Sequence, residues 1–361
     1  MKKSITFVIG IMGNGGAERV ISVLSNELIN RGIEVNILTI YGDRVDYPLN
    51  PGINHYAIEC KSTLRFLRPI ERIYKIRKYL KKIKTDTVVS FLADVNIHTL
   101  LATILMNLKV VVSERNDPYN DPSSKLIRNI RDRVYYLSDG FVFQTPDAKA
   151  YFPEKIQRKG TIIANPIKDN LPTRWKGERK KEIVCVSRLS PQKNIKMLID
   201  SYYKFEKEYP NYLLKIYGEG PLRTELENYV EELSLTRKVI FCGFKKDIHA
   251  EIKESSLFVL SSNYEGISNS MLEALAMGLP VISTNCPIGG SRMFINSYDN
   301  GILVPVGDSS ALYEAMKNVI KDPELANKLS ENATDINNEL NPRKVCEKWF
   351  SYLESIKRKV I

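Results

Sequence analysis

Several things are scarce in this chain, and each scarcity excludes something. None of its 361 residues belongs to an apolar run approaching a membrane span, which takes ~18 such residues. The five cysteines, Cys60, Cys185, Cys242, Cys286 and Cys346, form no Cys-x-x-Cys and have no histidine beside them. That spacing argues against zinc and against a disulfide framework, and it fits a reducing cytosol. The start, "MKKSITFVIG", is basic and then apolar. It lacks the length and the small-residue cleavage site of a signal peptide, so it reads as a first strand. Acid is outnumbered: 42 Asp and Glu stand against 53 Lys and Arg, a formal charge of +11. An anionic partner is expected, whether nucleic acid, a membrane surface or a phosphorylated substrate. No nucleic-acid-binding motif or aromatic stacking platform accompanies the charge, so nucleic acid is set aside.

What is present is an alternation of strands and helices. "SITFVIG", "EVNILTI", "TDTVVSFL", "KVVVSE", "GFVFQT" and "GTIIANP" are short β-rich runs, most of them separated by helical stretches. "NPIKDNLPTRWKGERKK" (Asn165–Lys181) is rich in proline and charge and reads as a linker. The alternation then resumes with "EIVCVSRL", "YLLKIYG", "KVIFCG", "SLFVLSS", "PVIST" and "GILVPV". This pattern predicts an α/β protein of two doubly wound, Rossmann-like domains, residues 1–165 and 166–341. The final segment, 342–361, reads as an amphipathic helix that packs back on the first domain. Ligands of such sheets sit beyond the carboxyl ends of the strands, which places the expected site in a cleft between the two domains.

In the second half, Arg188 and Lys193 follow a strand in "SRLSPQKN". Arg can grip a phosphate bidentately and Lys adds a mobile charge. As an isolated pair they are more often two solvated surface cations. The stretch "NYEGISNSMLEALAMGLPVIS" changes that balance. Its loop Gly266–Asn269 leads into a helix that Ser268 or Asn269 can cap, and a helix start preceded by small residues is an anion site. Two carboxylates, Glu265 and Glu273, stand eight apart there. They would repel phosphate and are better matched to neutral hydroxyls, such as a ribose diol and a second polyol. The bland alternative is a local cap and an ordinary helix residue. A nucleotide diphosphate carrying a sugar would satisfy the whole set.

With these pieces in order, the chain resembles family 4 glycosyltransferases, retaining enzymes of the GT-B fold. The matching segments are "GGAERV", "VSRLSPQKNIKMLIDSY", "IYGEGPLRTELE", "VIFCGF" and "SNYEGISNSMLEALAMGLPVIST", the last with its E-x7-E. The resemblance implies roles. Arg188 and Lys193 would bind the donor diphosphate and stabilise it as it leaves. Glu265 would touch the sugar, and Glu273 would hold the ribose. Backbone around Gly266, Ile267, Ser268 and Asn269 would face the sugar and phosphates, and Gly15 and Gly16 would let backbone approach from the first domain. Two departures stand out. Arg115, beside Asn116 in "SERNDP", occupies the place of a common histidine, and Met293 that of a common glutamate. Arg115 and Asn116 are candidates for the acceptor side, and His98 reads as structural. "SERNDP" and "SFLADVN" resemble members that extend lipid-linked glycans for bacterial capsule or exopolysaccharide assembly. No Asp-x-Asp triplet occurs, so no obligatory metal and no other cofactor is expected. A UDP-sugar donor is implied by family habit, and a polyprenyl-diphosphate-linked glycan is the implied acceptor. Competing readings are a GT-B sugar-nucleotide epimerase and a non-catalytic nucleotide-sugar-binding subunit. A phosphorylase would need a pyridoxal-phosphate lysine site that is not found.

One segment is left over. "KSTLRFLRPIERIYKIRKYLKKIK" carries Leu67, Ile70, Ile73, Ile76, Leu80 and Ile83 at helical spacing, with cations between them. Arg72, Lys75, Lys78, Lys81 and Lys82 are expected on a face that docks on an anionic membrane surface or a lipid-carrier diphosphate. "KRKV" near the C-terminus would add to it. The bland reading is a core-facing stripe with solvent-facing cations, and both can hold. The chain is therefore expected in the cytoplasm, peripheral at the inner face of the plasma membrane.

Overall fold

The computed structural model describes residues 3–13 and 15–357. They divide into two compact units, Met1–Pro166 with Pro342–Ile361, and Ile167–Asn341. The boundary falls one residue from the sequence-based one.

The first unit is built on a seven-stranded parallel sheet: β1 (Ser4–Ile9), β2 (Glu34–Thr39), β3 (Asn54–Ala57), β4 (Thr87–Phe91), β5 (Lys109–Ser113), β6 (Gly140–Phe143) and β7 (Gly160–Ile162), in the order β3-β2-β1-β4-β5-β6-β7. β1 is buried along its whole length and pairs with β2 and β4, in register Phe7 to Ile37 and Phe7 to Val89. The basic-then-apolar start is thus an inner strand, flanked on both sides. Its continuous apolar run is what burial on both faces of a parallel sheet requires. β3 has no such run. "NHYA" alternates exposed and half-buried positions at the sheet edge, so it carries no sequence signal, and it was missed.

The second unit has a six-stranded parallel sheet: β8 (Lys180–Val186), β9 (Leu213–Tyr217), β10 (Val239–Gly243), β11 (Ser255–Leu260), β12 (Val281–Thr284) and β13 (Ile302–Val304), in the order β10-β9-β8-β11-β12-β13. The strand order reverses beside β8, between β9 and β11. That switch point opens a crevice at the strands' carboxyl ends, and both "SRLSPQK" and "SSNYEGIS" leave the sheet there.

The segment read as a linker is not free. Ile167 donates its backbone N–H to Leu340 O at 3.1 Å, and Arg179 spans to Ser255 O and Gly278 O. Arg174 reaches Ser330 Oγ at 2.9 Å. Proline and charge exclude regular structure here, but they do not exclude packing, and the segment is laced to the second unit.

The last helix, Pro342–Ser355, returns to the first unit and packs on the helix Gly16–Asn30. Trp349 is fully buried and stacks on Phe91 at 5.7 Å between ring centroids. The helix is shorter than the sequence reading. Residues 358–361, with all of "KRKV" beyond Lys357, lie outside the described residues.

Candidate active site

Two loops meet at the switch point of the second unit. One follows β8 and runs through a single 3-10 turn, Pro191–Lys193. Asn194 then takes a left-handed backbone (φ 44°), and its side chain accepts from Met197 N, which caps the helix Ile195–Glu208. The other loop follows β11. The two are stitched together: Asn263 N donates to Gln192 O at 2.8 Å, Gln192 Nε2 to Tyr264 O at 3.0 Å, and Asn194 Nδ2 to Asn263 Oδ1 at 2.9 Å. Ser261 Oγ holds Lys193 O at 3.0 Å. Residues about seventy positions apart in the chain are thereby fixed against one another.

The result is an ion pair. Lys193 Nζ donates to Glu265 Oε2, and the side chains keep only 14% and 13% of their exposure. Ser262 Oγ donates to the same carboxylate oxygen at 3.2 Å. The sequence reading gave these residues separate targets, diphosphate for Lys193 and sugar for Glu265. Here each holds the other in place. Arg188 is exposed and makes no ion pair among the described residues.

Gly266, Ile267 and Ser268 are buried, and Asn269 begins the helix Asn269–Ala276. Ser268 is its N-cap, with Met271 N at 3.5 Å from Oγ. Ser270 Oγ donates to Val186 O at 2.8 Å, which ties the helix start to the end of β8. The remaining first-turn amides and the helix dipole make this end electropositive. Backbone passes very close behind the loop: a Cβ on Gly290 would lie 1.6 Å from Gly266 O. Only glycine fits at that position. Glu273, one turn into the helix, is buried, and His249 Nε2 lies 2.8 Å from its Oε2. The histidine was missed. It is a lone residue in "DIHAEI", 24 positions before the glutamate, and no local pattern marks it.

Four candidates, Gly15, Gly16, Arg115 and Asn116, belong to the first unit. Gly15 is the N-cap of the helix Gly16–Asn30 with ordinary extended backbone, and Gly16 is its first residue. Arg115 is not on the surface. It lies beyond the end of β5 with its guanidinium 4.7 Å from the Phe91 ring and 5.4 Å from Trp349, and its Nη1 donates to Asn165 Oδ1 at 2.8 Å. Burial pulls its pKa down to about 9. Its Nε and Nη2 have no hydrogen-bond partner and face aromatic carbon instead. Asn116 is half-buried. His98 is buried, with Nδ1 2.8 Å from Asp94 O, one helical turn back.

The basic helix is Arg68–Ile83. Ile76 and Leu80 enter the core as expected, joined by Tyr79, and Ile73 and Ile83 pack against it. Leu67 and Ile70 do not belong to that stripe. Ile70 is 64% exposed, beside Phe66 at 71% and Tyr74 at 63%. Of the expected surface cations, Lys78, Lys81 and Lys82 are exposed. Arg72 instead lies over the Tyr41 ring at 4.5 Å, and Lys75 pairs with Glu71 at 2.8 Å.

A model of glycosyltransferase family 4 matches residues 14–171, and one of glycosyl transferases group 1 matches residues 168–336. The chain is a glycosyltransferase. It is 27% identical over 365 residues, 98% of its length and 99% of the other's, to a Campylobacter jejuni protein named "GalNAc-alpha-(1->4)-GalNAc-alpha-(1->3)-diNAcBac-PP-undecaprenol alpha-1,4-N-acetyl-D-galactosaminyltransferase". It is 23% identical to the amylovoran biosynthesis glycosyltransferase AmsD of Erwinia amylovora, over 98% of this chain and 100% of that one. Among solved structures, Anabaena HepE in complex with UDP and glucose superposes with a TM-score of 0.83 at 17% identity, covering 97% of the enzyme and 99% of HepE. The enzyme thus has the GT-B fold of two Rossmann-like domains. The loops of its second unit lie within the group 1 match.

Proposed function

We propose that the enzyme transfers a hexose or N-acetylhexosamine, with retention of configuration, from a UDP-sugar to a polyprenyl-diphosphate-linked glycan in the synthesis of a capsule, exopolysaccharide or other surface glycan. The observation that carries this reading is the half-buried Lys193–Glu265 pair beside the capped start of the helix bearing Glu273. A donor entering here would exchange that pair for its own groups. Its diphosphate would meet Lys193, Arg188 and the amides before Met271. Its sugar hydroxyls would meet Glu265, and its ribose diol would meet Glu273. Leaving-group charge would then be met by preorganised cations and dipole rather than by a bound ion. A metal-independent path is proposed on the sequence, which has no Asp-x-Asp triplet. Glu265 is assigned here to the sugar hydroxyls rather than to covalent attack on the transferred carbon. That suits a front-face path in which the departing phosphate accepts the acceptor's proton. Retention itself rests on the family resemblance.

Support for the acceptor comes from relatives named for PP-undecaprenol and for amylovoran biosynthesis, and from the helix Arg68–Ile83. Its outer face is apolar at Ile70 and Tyr74, continued by Phe66 in the turn before it, and cationic at Lys78, Lys81 and Lys82. Such a face suits the boundary between acyl chains and anionic headgroups. No helix among the described residues is long and apolar enough to cross a membrane. We propose a peripheral position at the cytoplasmic face of the plasma membrane from the outer face of the helix Arg68–Ile83 and from the lipid-linked acceptor in the relative's name.

The test is transfer of label from a panel of nucleotide sugars into an organic-extractable lipid fraction, with chelator present. Label from one donor, lost in Lys193→Ala and Glu273→Gln, is the expected result. A changed nucleotide sugar without any acceptor would instead make the protein an epimerase. Donor binding without turnover on any acceptor would make it a binding subunit.

A further inference from the structure

His249 is used by none of the chemistry above, yet it touches the residue assigned to the ribose. It sits in the short helix Ile248–Ile252, which leads directly into β11, while Glu273 lies on the helix after β11. Both side chains are buried, and Nε2 is 2.8 Å from Oε2. With Glu273 ionised the carboxylate only accepts hydrogen bonds, and the Nε2–H of the imidazole is then the donor. A buried carboxylate that loses one such donor turns toward its other partners. That turn spoils it for a vicinal diol, whose two hydroxyls must meet two correctly placed acceptor positions. A carboxylate offers about four of these, and the histidine occupies one.

We propose that His249 is a positioning residue of the donor site, which fixes the Glu273 carboxylate in the orientation that receives the two ribose hydroxyls. This rests on the reading of Glu273 as the ribose ligand. The histidine acts through Glu273 and does not itself touch the nucleotide. Its effect is therefore confined to ligands that have the hydroxyls. A purely structural histidine would weaken every nucleotide alike.

The experiment is calorimetric titration of the intact enzyme with UDP or GDP, whichever binds tighter, and with its 2′,3′-dideoxy counterpart. It compares wild type, His249→Leu, His249→Gln and Glu273→Gln, each checked by its melting temperature. Gln can place an amide N–H close to where His249 presents Nε2–H. His249→Leu is expected to weaken the ribonucleotide about 10- to 100-fold, the size of one charge-assisted hydrogen bond, and to leave the dideoxy nucleotide unchanged. His249→Gln is expected to recover most of that loss. The proposal is overturned if His249→Leu weakens both nucleotides in proportion or neither, or if Gln rescues nothing while the variant stays folded. If wild type shows no preference for the ribonucleotide, or Glu273→Gln keeps that preference, the ribose reading of Glu273 has failed, and the inference falls with it.

Discussion

Truncating Lys193 to alanine should cost stability and turnover by separate routes, and the structure shows how to separate them. The backbone at this position is held independently of the side chain, by Ser190 O to its N–H and by Ser261 Oγ to its carbonyl, each at 3.0 Å. The loop should therefore persist. What is lost is the cation beside Glu265. Removing one partner of a fully buried pair costs roughly 3–5 kcal/mol. This pair retains 14% and 13% exposure, and Ser262 still donates to the carboxylate. About 2 kcal/mol is the matching expectation. For a unit of this size it lowers the melting transition by roughly 4–8 °C. The turnover loss has another origin, the charge missing at the departing diphosphate, and should be about a hundred- to a thousandfold. Adding Glu265→Gln removes the uncompensated carboxylate. The double variant should regain most of its melting temperature and none of its turnover. Scanning calorimetry and a nucleotide-release assay read the two effects. Turnover within tenfold of wild type in Lys193→Ala, or turnover restored by Glu265→Gln, would refute the assignment of Lys193 to the leaving group.

Three further outcomes follow from the same coordinates. Burial pushes the Glu114 carboxyl up to about 7, against the opposing pull of Arg131 and of the Tyr135 hydroxyl 2.7 Å from Oε2. A raised folded-state value means its stabilising contribution is full below the ordinary carboxylate range and is lost as pH rises through about 7. Glu114→Gln should abolish a loss of about 3 kcal/mol between pH 5 and 8, read by urea unfolding at the two pH values. Gly290→Ala forces a methyl into Gly266 O, and should lower both melting temperature and nucleotide affinity in paired calorimetric measurements. Trp349→Ala removes a fully buried ring that covers Phe91 and the Arg115 guanidinium. It should cost about 3–5 kcal/mol, with hydrogen exchange rising first in the helix Pro342–Ser355.

Much of this enzyme was legible in one dimension because its signals are local. Twelve of the strands announce themselves as apolar runs between turn residues, the inner ones because a parallel sheet buries both of their faces. Ser268 before "NSMLEALA" and Asn194 before "IKMLIDSY" cap helices through bonds spanning three residues, which a short window of sequence contains. The order of the motifs was likewise visible without coordinates. β3 escaped because an edge strand with one wet face needs no apolar run.

The tertiary structure alone decided which of these residues meet. Lys193 pairs with Glu265 because the loops after β8 and β11 leave adjacent strands, and adjacency in a sheet follows from topology rather than sequence distance. His249 reaches Glu273 because a helix precedes β11 and another follows it. Arg115 is hidden because Trp349 arrives from 234 positions away in the chain and covers it. The outward turn of Ile70 also depends on packing. Helical periodicity shows that an apolar stripe exists, but only the neighbouring elements determine how much of it is covered. Sequence specified the chemical groups and their local geometry. Partner choice, burial and the paired state of the candidate active site arise from long-range packing, which no short window of the chain contains.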